Sequence, residues 1–454
     1  MKRSLLVLLL VGVLSSPAWA QDRRLSVPYE RFTLPNGLTV LLHRDTTTPM
    51  VAVDVWYHAG SARETPGRTG FAHLFEHLMF EGSGHVQEGK FDQWLEAAGG
   101  NNNGSTNTDR TNYFEIVPKS ALELALFLES DRMGYLLDAM SPDKVNGQRD
   151  VVKNERRQSV ENRPYGRASL LLGENLYPPD HPYHWSTIGS QEDLSAASYD
   201  DVVGFFKTYY APGNAALAIA GDIDLAATKR MVEHWFSDVP AGKPVGPLVG
   251  PAAWLTAEKR IVLEDRVQLP RLYMCWLSPA LFTPGDAELD VGAGVLAGGK
   301  NARLYKRLVY DMQIAQDVSA YQASAELGSR FCITSTARSG HNLSEIERVI
   351  QEELDRLKAE GPTAREVQRA VNQNEVAFLS QLESIFVKAD QLDSYQFRTG
   401  NPDFFNEDLA RYRALEPADV QAIVQAVLKD SARVILSVVP QGKPELAAGK
   451  PASE

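Results

Sequence analysis

Thirteen residues near the middle of the chain, Val239 to Pro251, hold four prolines and three glycines. Such a stretch cannot donate enough backbone hydrogen bonds to run through a sheet, and its composition reads as an extended connection. It splits the chain into two parts of similar size, which limits the fold to two units. The parts resemble each other in their order of elements. Each starts with strand-like runs; in the first these are Leu38–His43 and Val51–Tyr57. Each then carries an amphipathic helix, Ala121 to Leu137 and Leu343 to Lys358, followed by a charged helical stretch, Val145–Glu155 and Val367–Glu375. Each closes on an apolar strand, Ala215–Ala220 and Arg433–Val439. This mixed order predicts an α+β fold of two homologous, duplicated domains, each a mainly antiparallel sheet with helices packed on one face. The boundaries expected are 21–238, a linker over 239–260, 261–440, and a disordered tail over 441–454, where Pro, Gly, Ala and Lys dominate.

The chemistry is carried by His73-Leu74-Phe75-Glu76-His77, inside a Pro-free run from Gly70 to Gly82 that reads as one short helix. Residues four apart share a helical face, so His73 and His77 can offer two imidazoles to one metal ion. Glu76 projects from nearly the same face, and the apolar flanks Phe71, Leu74, Phe75, Leu78, Met79 and Phe80 bury the helix. Two nitrogen ligands beside a carboxylate is the equipment of metal-assisted hydrolysis, and zinc needs a third protein ligand with a fourth position left for water. From the residues alone, Glu155, 78 positions beyond His77, competes for that place with Asp150 and Glu161.

The length of 454 residues and net charge of -12 describe an ordinary globular chain with no basic run, which argues against nucleic acid as a partner. Lys2 and Arg3, the apolar run Leu5 to Leu14 and the Ala18-Trp19-Ala20 site read as a signal peptide over residues 1–20. Its removal takes the net charge from -12 to -14. No other segment is apolar enough to span a membrane, so the mature chain is expected to be exported, with a periplasm the simplest destination and secretion the alternative. Cys275 and Cys332 lie in strand-like runs without metal-knuckle spacing and are read as buried free thiols.

The order H-x-x-E-H with a carboxylate this far downstream resembles the pitrilysin-type (inverzincin) zinc metallopeptidases. In size the chain is closest to the bacterial half-length subunits related to mitochondrial processing peptidase. The family's third ligand ends a motif E-R-D-V-V-x-E-E. The matching residues are Gln148-Arg149-Asp150-Val151-Val152-Lys153-Asn154-Glu155. The resemblance therefore implies zinc, one per chain, on His73, His77 and Glu155, with Glu76 as the catalytic base. It also exposes a departure, since the family's supporting Glu near the site is Gln148 here. Gly99 to Tyr113 resembles the family's substrate-binding edge strand, which implies that Asn103, Gly104, Ser105 and Thr106 pair with the peptide backbone. His181-Pro182-Tyr183-His184 resembles a family loop, and both histidines are read as structural.

Family members with the whole apparatus in one chain carry, in their second half, an Arg and a Tyr seven residues apart. Register set by Arg303-Leu304 and Leu308 places Val309 and Gln316 at those positions. Arg303 and Tyr310 share the spacing by coincidence. The resemblance thus implies an endopeptidase for oligopeptides or unfolded segments that needs a homologous partner subunit to donate Arg and Tyr. Arg307 or Tyr321 would be the donor if the chain works alone. The reading of another class is a non-catalytic scaffold. Gly292-Ala293-Gly294 is too weak for a nucleotide-binding turn and reads as close helix packing.

Overall fold

The computed structural model describes residues 24–449. The expected signal peptide and the last residues of the expected tail lie outside these. Two sheets organise the chain. The first contains β1 (Glu30–Thr33), β2 (Thr39–Arg44), β3 (Met50–Tyr57), β4 (Asn101–Thr106), β5 (Thr111–Pro118) and β6 (Ala215–Gly221), in the order β1-β2-β6-β3-β5-β4. The second contains β7 (Lys259–Asp265), β8 (Arg271–Ser278), β9 (Ala315–Ala323), β10 (Ser329–Ala337) and β11 (Val434–Pro440), in the order β7-β11-β8-β10-β9. The duplication is visible in the topology. In each sheet the last strand of the half inserts beside an early strand and runs parallel to it, β6 with β2 and β11 with β7. Every other pairing is antiparallel.

β3 shows why these residues make a doubly covered sheet. Val51, Val53, Val55 and Tyr57 face the half's own helices in one apolar core. On the opposite face Leu41, Ala218 and Ala220 meet Ala389, Leu392 and Tyr395 of the helix Ile385–Thr399, which belongs to the second half. Trp56 Nε1 donates to Asp390 Oδ1 of that helix at 2.8 Å. The second sheet repeats the arrangement. Its own helices cover Leu272, Met274, Phe331 and Ile333. Its other face packs Val434, Leu436 and Val438 against Ala168, Leu172 and Leu176 of the helix Ala168–Leu176, from the first half. Each half keeps its own helices on one face and lends one helix to the far face of its neighbour's sheet.

Two expectations are corrected. Cys275 and Cys332 form a disulfide. They are direct cross-strand partners in the β8–β10 register with Cα atoms 4.2 Å apart, and both are buried on the face that receives the Ala168–Leu176 helix. Nothing in the local sequence marks two strand residues 57 apart as neighbours. The described part of the tail is also ordered. Pro444–Leu446 forms a turn of 3-10 helix, Ala447 and Ala448 are buried in the second core, and Ala448 N–H donates to Ser437 Oγ at 3.0 Å. Small alanines fit that crevice despite the polar composition around them. The Pro- and Gly-rich connection is a strap fixed at points: Gly213 N–H donates to Ala241 O at 3.3 Å and Arg63 Nη1 to Gly246 O at 2.9 Å.

Candidate metal centre

The helix Phe71–Leu78 begins at Gly70, whose φ of 90° puts it in the left-handed region open to glycine. The starting amides find an acceptor that no sequence pattern announces. Glu64 is buried, and its Oε2 accepts from Gly70 N–H at 2.9 Å while Oε1 accepts from Ala72 N–H at 2.8 Å. A carboxylate at a helix N-terminus satisfies orphan amides and complements the helix dipole. Phe71, Leu74, Phe75 and Leu78 anchor the helix in the first core, so His73 and His77 emerge together on the remaining face with ring centroids 4.9 Å apart. Burial lowers the His73 pKa, against the pull of Glu155 and Glu76, and so favours the neutral imidazole that can donate a lone pair.

The second helix, Pro142–Arg156, starts with Ser141 Oγ accepting from Lys144 N–H and with proline in its first turn. Val145 and Val152 bury one side, and Glu155 comes to the end of the helix facing the histidines. Glu155 Oε2 lies 3.5 Å from His73 Nε2 and 3.3 Å from His77 Nε2, and the three donor atoms all lie within 4.8 Å of one another. Ligands at zinc–nitrogen and zinc–oxygen distances on a tetrahedron stand about 3.3–3.4 Å apart, so both carboxylate–imidazole edges match what a zinc ion needs. They form the sole cluster of at least three such side chains with metal-compatible spacing among the described residues. Glu161 instead pairs with Arg156 at 3.0 Å, and Asp150 is not in the cluster. Gln148 does not touch the donors; its Nε2 donates to Glu81 Oε1 at 2.6 Å.

Glu76 stands over β4, the edge strand of the first sheet. A Cβ at Gly104 would lie 3.2 Å from Glu76 Cγ and 3.2 Å from Tyr113 Cδ1. The Glu76 side chain therefore passes directly against the backbone of the strand, where any residue larger than glycine would push Glu76 or Tyr113 aside by a few tenths of an ångström. Asn103, Ser105 and Thr106 belong to the same strand.

Comparison with known proteins decides the family. Residues 39–177 match the model described as insulinase (peptidase family M16), and residues 196–374 match the peptidase M16 inactive domain. The chain belongs to the M16 peptidase family. The Helicobacter pylori zinc protease PqqE is 28% identical over 363 residues, 78% of this chain and 80% of that one. The probable mitochondrial-processing peptidase subunit beta of Arabidopsis thaliana is 23% identical over 432 residues, 92% of this chain and 79% of that one. A protease from Helicobacter pylori, known from its crystal structure, superposes with a TM-score of 0.85 at 25% identity, over 91% of this chain and 99% of that one. The periplasmic protease PqqL from Escherichia coli superposes with a TM-score of 0.78 at 17% identity, and the match covers 93% of this chain but 49% of PqqL.

Within this M16 chain the loop His181–Gly189 ties the two donor helices together. Gly189 packs on Gly70 so closely that a Cβ would come within 2.5 Å of the Gly70 Cα, and Arg156 donates to Gly189 O. His181 Nδ1 accepts from Tyr183 N–H at 3.0 Å and His184 Nδ1 bonds Tyr177 O at 2.9 Å, as structural histidines do. Behind the edge strand, Arg110 Nη1 donates to Ser105 O at 2.7 Å, and Ser105 Oγ donates to Asn112 Oδ1 at 2.7 Å. In the second half Arg303 is paired with Glu366 at 2.7 Å, and Arg307 with Glu352 and Glu353 at 2.6 and 2.9 Å. Val309 is half-buried and Gln316, Tyr310 and Tyr321 are exposed. Glu64 and Arg110 are the supporting residues that sequence reading missed; each acts through space across loops of no fixed spacing.

Proposed function

We propose that this chain is a zinc metalloendopeptidase that hydrolyses oligopeptides or unfolded segments. The observation that carries this reading is the convergence of His73, His77 and Glu155, with donor atoms within 4.8 Å of one another, and Glu76 beside an edge strand. Zinc held by those three donors supplies Lewis-acid polarisation of the scissile carbonyl and lowers the pKa of a water there. The chain's own residues do the rest. The outer edge of β4 pairs with an extended peptide through main-chain hydrogen bonds, with Asn103, Gly104, Ser105 and Thr106 giving little side-chain selection. Gly104 lets the peptide and Glu76 share one narrow space. The Glu76 carboxylate takes the proton of the attacking water and returns it to the leaving amine nitrogen. Glu155 has a side chain 41% exposed, so the donor set opens to a solvent-filled space that a substrate can enter.

The rest of the reading is that the mature chain works in the periplasm beside a homologous subunit that contributes an Arg and a Tyr for the oxyanion. The residues at those register positions, Val309 and Gln316, are neither a cation nor a phenol: Val309 offers no donor, and Gln316 offers only a neutral amide. The pairing of Arg303 and Arg307 with glutamates supports the same view. The zinc-bearing chain then supplies three ligands and the base, and Gln148 supports the site indirectly through Glu81.

The test is zinc content and cleavage of a quenched peptide library by the purified mature chain, with Glu76→Gln as control. Zinc near one per chain and Glu76-dependent cleavage is the expected result, weak alone and raised by the partner. Full activity of the isolated monomer refutes the partner. Absence of bound zinc refutes the peptidase and favours a scaffold.

A further inference from the structure

A cleft of about 290 Å³ opens between the two halves, beside the turn that follows the edge strand β4. Its walls come from four places: Thr108 in the turn after β4, Ser186 and Thr187 in the loop that locks the donor helices, Ser169 in the Ala168–Leu176 helix, and Ser324 with Arg330 at the β9–β10 end. No aspartate or glutamate lines it, although the chain as a whole is strongly acidic. Arg330 shares the β10 face of Cys332, the face turned toward the other half, and is half-buried. Among the described residues its guanidinium has no carboxylate ion pair and no side-chain hydrogen bond; its charge acts on the Tyr177 hydroxyl, which lines the same cleft and whose pKa it draws down against burial. Carboxylates around the cleft are committed elsewhere; Asp286 accepts from the cleft-lining Ser324 Oγ at 2.8 Å and is paired with Arg411. Asp109 accepts from Tyr183 Oη at 2.5 Å and from Glu326 N–H at 3.0 Å, and Glu326 pairs with His58 at 2.7 Å. A sheltered guanidinium with five donors and no acceptor is poised for a carboxylate from outside the chain.

We infer that this cleft is a substrate subsite in which Arg330 receives a carboxylate of the bound peptide. The inference rests on the peptidase reading, because the occupant is a peptide lying along β4. Thr108 is four residues beyond Gly104, in the turn past the end of β4 at Thr106, so at a strand's rise of about 3.4 Å per residue it lies at most about 14 Å along the chain from the position beside Glu76. A peptide added antiparallel to β4, as β5 is on its other side, runs from the cleft toward the donor helices. The acidic side chain then sits about four residues on the amino-terminal side of the bond cleaved. The overall negative charge repels acidic peptides, so Arg330 converts general repulsion into selection at one position.

The experiment uses the full mature chain carrying Glu76→Gln and fluorescent peptides of about ten residues. One peptide is neutral and amidated, a set carries a single Glu walked along it, and one is neutral with a free carboxyl terminus. Binding is read by anisotropy. One Glu register should bind about tenfold tighter than the neutral peptide. That gain should vanish with Arg330→Gln, persist in part with Arg330→Lys, and weaken with salt. A gain shown only by the free-terminus peptide overturns the subsite, because a carboxyl terminus cannot lie on the amino-terminal side of the bond cleaved. Equal affinity across the set, or a gain that survives Arg330→Gln, overturns the subsite. Lack of any Glu76-dependent cleavage by the wild type overturns the peptidase reading separately, and the binding comparison still decides whether Arg330 takes a carboxylate.

Discussion

Glu64 holds the start of the first donor helix, and its titration makes a sharp prediction. Both oxygens accept backbone amides, Gly70 at 2.9 Å and Ala72 at 2.8 Å, and the side chain is buried. Burial pushes its carboxyl from 4.5 up to about 8, although the two amides favour the anion. A carboxyl with a higher pKa folded than unfolded binds its proton more tightly in the folded state. Its contribution to stability is therefore complete below about pH 4.5 and is lost as pH rises toward 8. Across that whole span the loss is about 5 kcal/mol, and between pH 5 and pH 8 it is about 3–4 kcal/mol. Glutamine has the same shape and does not titrate, but offers one acceptor oxygen for two amides, a penalty of about 1–3 kcal/mol. Glu64→Gln should thus destabilise the metal-free chain at pH 5. Its penalty should shrink with pH and reverse near pH 8. Urea unfolding of both proteins at the two pH values, with chelator present to remove linkage to metal binding, measures this. A penalty that grows with pH would show that amides and helix dipole outweigh burial and would refute the reasoning.

Gly104→Ala places a Cβ 3.2 Å from Glu76 Cγ and 3.2 Å from the ring of buried Tyr113; kcat should fall about tenfold or more with zinc content unchanged, because the base and not the metal is displaced. Reduction of the Cys275–Cys332 bond frees a loop of 57 residues and should lower stability by about 4 kcal/mol, read as the shift in urea unfolding with and without reductant. Asp54, Asp390 and Asp393 lie buried between the first sheet and the Ile385–Thr399 helix, and burial raises each of their pKa values. Raised carboxyl pKa values mean stability lost as pH rises, so Asp393→Asn should gain stability relative to wild type between pH 5 and pH 8 in a thermal melt; a constant difference would refute this.

The parts legible in the sequence are those with a local period or a fixed spacing. The i, i+4 histidines and the apolar residues between them specify one helix face wherever that helix lies. Glu155 was one carboxylate among three until the resemblance set its register, because a charged helix face carries no mark of what it points at. Polar β4 was marked only by the resemblance, while β2, β3, β6, β8, β10 and β11 were visible as strand-like runs. Their order was not, since β6 and β11 insert beside strands far back in the chain. The exchange of helices was also hidden: the apolar stripe of Ala168–Leu176 or Ile385–Thr399 has the same pattern whichever sheet it covers. Glu64, Arg110 and the disulfide share that character. Each depends on a partner fixed by tertiary structure alone.

The duplication explains why one half bears a metal site and the other does not. The helix Phe71–Leu78 packs beside Pro142–Arg156, and in the second half Asp286–Ala297 packs beside Ala364–Gln381 in the corresponding place. In the first half the helices are separated by the three donor side chains. In the second, Gly294 approaches Ala370 so closely that a Cβ there would lie 2.8 Å from the alanine's own. The space that holds His73, His77 and Glu155 in one half is thus closed by direct helix contact in the other. Reopening it would take more than restoring histidines: two imidazoles on Asp286–Ala297 would have to part a packed core, where overpacking costs about 1–3 kcal/mol per site. Gly294, one of the glycines that resemble a nucleotide-binding turn, is the means of that closure, while Gly292 faces Val420 and Val424. On the proposed function, the second half contributes through its surface facing the cleft, where Arg330 stands beside Tyr177, and not through a second metal centre.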